Sequence, residues 1–246
     1  MLFSEMAGKS GIFCDGDWIE KKDQDVNGKI RLIQLADIGE GVFLDKSNRF
    51  INEETKERLG CTYINKGDIL ISRLGEPLCK ACIFPHNGYF ITAVDVAILR
   101  ISNDKVSDQY IMYLINSPWF KKQIKPYESG TTRKRISRKN LDKIEIPIPP
   151  IEEQQRIVCR IEEMLSELDN CVSTLQKTKE HLVVYRQAVL KNVFGSIHEK
   201  TPIRQVSRFV TSGSRGWAKY YSEIGARFIR ITDLTRDKRR FCSLGG

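Results

Sequence analysis

The chain has 246 residues, a hydrophobic content of 41% and a net charge of +9, which is the scale of one or two globular domains. It contains no apolar run of membrane length and no charged-then-apolar leader, which predicts a soluble, cytoplasmic protein with no membrane partner. Seven cysteines, odd in number and scattered, fit reduced thiols better than a disulfide framework.

Residues 1–28 are rich in Gly and Asp and are expected to be loops around a short Trp18-Ile19 anchor. The first strand is expected at Ile30–Leu35, ended by Ala36-Asp37-Ile38-Gly39. Phe50-Ile51 leads into a short helix, Glu53 to Leu59. Tyr63 to Asp68 is a turn feeding an alternating strand that runs to Arg73. Leu78–Phe84 and Phe90–Thr92 are further strands, separated by the turn Pro85-His86-Asn87-Gly88. Val94–Ile101 alternates and is also β. Two short helices follow, Asp108–Ile115 and one opened by Pro118 that runs to about Ile124. Many short strands with a few helices predict an α+β domain over residues 1–150. Cys79-Lys80-Ala81-Cys82 is a C-x-x-C within this domain, but no second Cys pair or nearby His pair completes a zinc set.

Residues 121–150 carry nine basic and three acidic groups, and residues 196–246 carry 11 and four. Between them, 151–195 is nearly neutral, with six and seven. Two basic patches flanking a neutral spacer suit a polyanion met at two places. The segment 129–140 interleaves Thr131, Thr132, Arg133, Lys134, Arg135, Arg138 and Lys139 with small residues. Cationic side chains neutralise phosphates while hydroxyls add short-range hydrogen bonds, so this group is the first candidate for DNA contact. Lys66 and Arg73, flanking the turn and strand at 66–73, are second candidates. In the tail, Arg215, Lys219 and Tyr220 mix charge with an aromatic ring beside Trp217.

Pro147, Pro149 and Pro150 impose an extended segment before Ile151. From there to Phe194 no Gly or Pro occurs, which predicts one helix about 65 Å long. With Ile161 at heptad position a, Leu168, Leu175, Leu182 and Val189 also fall at a, and Met164 and Tyr185 fall at d. Such a stripe predicts burial against a partner helix. Residues 151–195 therefore read as a coiled-coil spacer and 196–246 as the incomplete start of a second α+β domain. Arg31-Leu-Ile-Gln-Leu-Ala-Asp37-Ile38 matches Arg227-Phe-Ile-Arg-Ile-Thr-Asp233-Leu234 in residue type, as a repeat of the first domain would. No histidine is placed for acid–base work, and no nucleotide-binding, methyltransferase or nucleophile motif occurs, so intrinsic catalysis is not expected.

The motif P-x-P-P-x-x-E-Q at Pro147–Gln154, followed by Arg156-Ile157-Val158 and the long helix, resembles specificity subunits of type I restriction–modification systems. Lys66-Gly-Asp-Ile-Leu-Ile-Ser-Arg73, Ser129-Gly-Thr-Thr132 and Ser212-Gly-Ser-Arg-Gly-Trp217 are similar to that family too. The resemblance implies two target-recognition domains on double-stranded DNA, held apart by paired helices. It further implies methylation (M) and restriction (R) subunits as partners, with S-adenosylmethionine, ATP and Mg belonging to them and no cofactor in this chain. In this chain the second recognition domain is expected to be cut short, and the second spacer helix to be missing. Two outcomes follow: a homodimer paired through the 151–194 helices, or a truncated fragment. A non-catalytic coiled-coil scaffold is the alternative from another class.

Overall fold

The computed structural model describes residues 1–197, 199–209, 220–222 and 224–225. The chain divides into two compact units, Met1–Thr178 and Lys179–Gly246. The first opens with helix α1 (Phe3–Ala7) and strand β1 (Ile12–Asp15), where the sequence suggests only loops. Both are too short to show a hydrophobic period. Next come β2 (Ile30–Ile33), β3 (Phe50–Ile51), α2 (Glu53–Leu59), β4 (Ile69–Ser72), β5 (Ala81–Ile83), β6 (Phe90–Thr92) and β7 (Val96–Arg100). Helices α3 (Asp108–Asn116), α4 (Pro118–Ile124) and α5 (Arg138–Leu141) follow. Helix α6 (Ile151–Gly195) begins in the first unit and ends in the second, which also contains the short helix α7 (Ile203–Val206).

Local chemistry explains the sharpest boundaries. The Asn52 side chain accepts the Thr55 N–H at 2.8 Å to start α2, and Gly60 ends it at φ 64°. Ser117 accepts the Phe120 N–H at 3.2 Å, with Pro118 in the first turn of α4. Strand β5 is shorter than expected because Cys79 takes a left-handed φ of 57°, outside extended geometry.

The strands form two sheets. One has the order β1-β7-β4-β5 and is antiparallel throughout; the other has the order β3-β2-β6, with β2 parallel to β6. In the first sheet Ile69, Ile71, Ala97 and Leu99 face Ile111, Ile115, Phe120 and Ile124 of α3 and α4. Leu70, Val96 and Ile98 point the other way and join Ile33, Ile38 and Phe84. All four residues of β4 are buried, so the polar–apolar alternation read in that strand gives way to burial on both faces. Each such aliphatic side chain contributes about 1.5–3 kcal/mol. The observed class is α+β, as expected from the sequence. Cys79 and Cys82 belong to these two different clusters, and burial pushes each thiol up to about 12.

The first turn of α6 is fastened to this body by Gln154, which is fully buried. Its Oε1 accepts the Ser107 N–H at 2.9 Å. Its Nε2 donates to the carbonyls of Lys105 and Pro149, both at 2.8 Å. Val158, one turn on, enters the same core as α3 and α4. The amide is suited to this position because it supplies one acceptor and two donors from one uncharged group. Tyr110 Oη adds a bond to the Pro147 carbonyl at 3.1 Å, holding the proline segment. Gln154→Ala leaves three backbone groups without partners and should cost about 3 kcal/mol in urea unfolding. Gln154→Glu should cost at least as much at neutral pH, because its carboxylate would face two carbonyls. A loss below about 0.5 kcal/mol for Gln154→Ala would mean that water replaces the amide without penalty.

Candidate nucleic-acid interface

Ser129 and Arg135 exchange two backbone hydrogen bonds of 2.8 Å, so residues 130–134 form the tip of a small hairpin. Gly130 sits at φ 89°, and a Cβ there would lie 2.4 Å from the Arg133 carbonyl oxygen. The turn therefore needs glycine. Gly75 donates to the Lys134 carbonyl at 3.0 Å and Ile136 donates to the Arg73 carbonyl at 3.0 Å, which joins the hairpin to the chain leaving β4. Buried Ile136 anchors it below. Ser137 then caps α5, which carries Arg138 and Lys139.

The sequence offers Arg73 as a DNA contact, but it is 4% exposed and its groups are turned inward. Its Nη2 donates to the Val94 carbonyl and its Nη1 to that of Ile136 at 3.3 Å. Asp15 Oδ1 approaches Nη2 to 3.1 Å as an ion pair, off the hydrogen-bonding direction. Burial lowers the guanidinium pKa and Asp15 counteracts it. Arg73 is thus a positioning residue: it ties the ends of β1 and β4, the turn before β7 and the hairpin to one point. Lys66 is exposed, but it lies in the turn before β4, at the opposite end of that strand from Arg73.

The basic segment is less cationic than its sequence suggests, because carboxylates face it. Arg135 pairs with Asp95 at 2.6 Å. Lys134 lies between Glu128 at 3.4 Å and Glu76 at 3.6 Å, and Glu128 foremost raises its pKa. Arg138 Nε lies 3.5 Å from Asp15 Oδ2, and its guanidinium stacks 5.6 Å from the Phe13 ring centroid. Arg133 and Lys139 are exposed and form no ion pair among the described residues, and Thr131 and Thr132 are exposed at the tip. The acids Asp15 and Asp95 had no signal in sequence, since Asp15 lies 58 and 123 residues from Arg73 and Arg138, and Asp95 lies 40 from Arg135. Trp18, expected as an anchor, is 67% exposed, three residues beyond β1, with its indole N–H 3.4 Å from Glu20. Tyr220 is exposed; Arg215, Lys219, Trp217 and the repeat at 227–234 lie outside the described residues.

On α6, Ile161 is half-buried, and Met164, Leu168 and Leu175 are exposed in the first unit. Leu182, Tyr185 and Val189 are exposed in the second. Among the described residues no group of three or more His, Cys, Asp or Glu is placed to hold a metal ion, and no helix is long and apolar enough to cross a membrane.

The fold is similar to that of a solved HsdS subunit from Thermoanaerobacter tengcongensis. The likeness has a TM-score of 0.59 at 16% identity and covers 82% of this chain and 50% of that one. A chain from a structure concerned with assembly and conformational transition of the type I R-M system gives 0.54 at 20% identity, over 74% and 43%. These likenesses establish the fold. The chain belongs to the family described as the type I restriction modification DNA specificity domain, whose model matches residues 12–183. It is 29% identical over 133 residues to a putative type I restriction enzyme MjaX specificity subunit of Methanocaldococcus jannaschii, covering 52% of this chain and 30% of that protein. It is 25% identical over 169 residues to the Escherichia coli EcoAI specificity subunit, covering 66% and 28%. The match thus spans less than a third of either relative's length.

Arg73→Ala removes two buried donors and leaves Asp15 facing Arg138 alone. It should lower stability by about 3 kcal/mol, read as a shift in the urea midpoint. Arg73→Lys should recover less than half, because an ammonium cannot reproduce the fork.

Proposed function

We propose that this chain is the DNA-reading part of a type I restriction–modification specificity subunit, acts on double-stranded DNA, and directs partner methylation and restriction subunits without catalysing a reaction itself. The observation that carries this reading is the hairpin at 129–135, held from beneath by Arg73 and Ile136. It presents Thr131, Thr132 and Arg133 outward, with Lys139 close by on α5. Hydroxyls and a cation on a fixed turn can hydrogen-bond phosphates and reach base edges. Lys134, Arg135 and Arg138 serve as reserves on this reading, since a phosphate must compete with their carboxylate partners. The organisation proposed is a recognition domain over 1–150, a spacer over 151–195 and the start of a second domain over 196–246. S-adenosylmethionine, ATP and Mg belong to the partner subunits, and the cytoplasm is the proposed location.

The exposed apolar positions of α6 support the second element of the proposal, pairing with the same helix of a second copy. Met164, Leu168 and Leu175 recur at the spacing of one helix face, as do Leu182, Tyr185 and Val189. A pair of chains would bring two recognition domains to one duplex.

Arg133→Ala combined with Arg135→Ala should weaken binding to duplex DNA and reduce the slope of log affinity against log salt by about one to two. An unchanged slope would remove the hairpin from the interface. Light scattering at micromolar concentration should give twice the chain mass, and Leu168→Glu with Leu175→Glu should give a monomer. A monomeric wild type would rule out pairing by α6.

A further inference from the structure

We infer that a lysine-lined groove beside the hairpin, which the sequence did not single out, is a second contact for the phosphate backbone of the same duplex. The inference rests on the DNA-binding reading above and extends it to α4. Helix α4 and the turn after it place Lys121, Lys122 and Lys125 along an open groove of about 510 Å³, lined also by Glu40, Pro77, Asn116 and Pro118. Lys121 is structural: its ammonium donates to the carbonyls of Leu78 at 2.8 Å and Cys79 at 2.6 Å, and burial lowers its pKa. That bond pair locks α4 against the segment leading into β5. Lys122 and Lys125 are exposed and have no ion pair among the described residues, and Lys80 adds a further positive charge next to Lys121. Glu40 is the one acid lining the groove.

Continuity with the hairpin selects the occupant. Pro77 lines the groove, and its neighbour Glu76 pairs with Lys134 of the hairpin. Glu128, the second partner of Lys134, is three residues beyond Lys125. Glu76 and Glu128 thus tie the hairpin's Lys134 to the two stretches of chain, 76–77 and 125–128, that border the groove. A polyanion with charges repeated along its length would meet Lys122 and Lys125 in the groove and Arg133 at the hairpin tip, and a duplex backbone has that form. The hairpin's side chains would meet base edges while the α4 lysines meet only phosphates. Contacts of that second kind position the protein on DNA without adding sequence information.

The test uses the full chain and a fluorescently labelled duplex, in titrations at several salt concentrations. Lys122→Gln with Lys125→Gln should lower affinity equally for preferred and random duplexes and reduce the salt slope by about one to two. Lys122→Glu with Lys125→Glu should lower affinity further, with the far-ultraviolet circular dichroism unchanged. Affinity and slope equal to wild type in both variants, with Arg133→Ala and Arg135→Ala still lowering them, would overturn this inference alone. Intact DNA affinity together with lost binding of a methylation subunit would assign the groove to a protein partner and also overturn it. A wild-type chain that binds no duplex at low salt would instead remove the DNA-binding reading, and this inference with it.

Discussion

The guanidinium of Arg73, withdrawn from water at the end of the central strand, is the interaction around which the candidate interface is arranged. It makes hydrogen bonds to the Val94 and Ile136 carbonyls and an ion pair with Asp15, so three other stretches of chain converge on it. A buried charge is tolerated only where partners surround it, and breaking such a set is far more costly than its net contribution suggests. That asymmetry makes the geometry discrete: the hairpin is either seated on Arg73 or the charge is stranded. The exposed tip inherits its position from this seat, because Ile136 and Lys134 are bonded to the Arg73–Gly75 segment.

The same core links the interface to the helix. Ile136 and Leu141, beneath the basic segment, share one cluster with Ile144, Ile146 and Val158 at the start of α6. Gln154 adds a polar lock in which every hydrogen-bonding group of the amide has a partner. The motif at 147–154 thus has a physical account: prolines set an extended approach, and the glutamine binds the helix's first turn to the loop before α3. Within the first unit the hairpin and the helix start therefore belong to one packed body.

Much of this was legible locally. The bounds of α2 and the start of α4 follow from Asn52, Gly60, Ser117 and Pro118, whose effects act over three or four residues. The long helix follows from 44 successive residues without Gly or Pro. What escaped was short or non-local. Helix α1 and strand β1 owe their form to packing of Phe3 and to pairing of Ile12–Asp15 with β7, partners about 85 to 115 residues distant. Arg73 looked like a surface cation because nothing nearby in sequence announces Asp15. Trp18 looked like an anchor because an aromatic ring in a loop is usually buried; here it faces water.

Sequence alone determined the α+β class, the proline-to-helix motif with its apolar heptad stripe, and the basic character of residues 121–150. These are properties of composition and of spacing under about seven residues, which backbone stereochemistry and helical periodicity translate directly into local form. Tertiary structure decided which of the basic side chains face outward. It placed Arg73 inside, balanced Lys134, Arg135 and Arg138 with carboxylates from other parts of the chain, and left Arg133, Lys139, Lys122 and Lys125 without an ion pair among the described residues. The reason is that charge is neutralised through space: a carboxylate 3 Å away matters, whatever its distance along the chain.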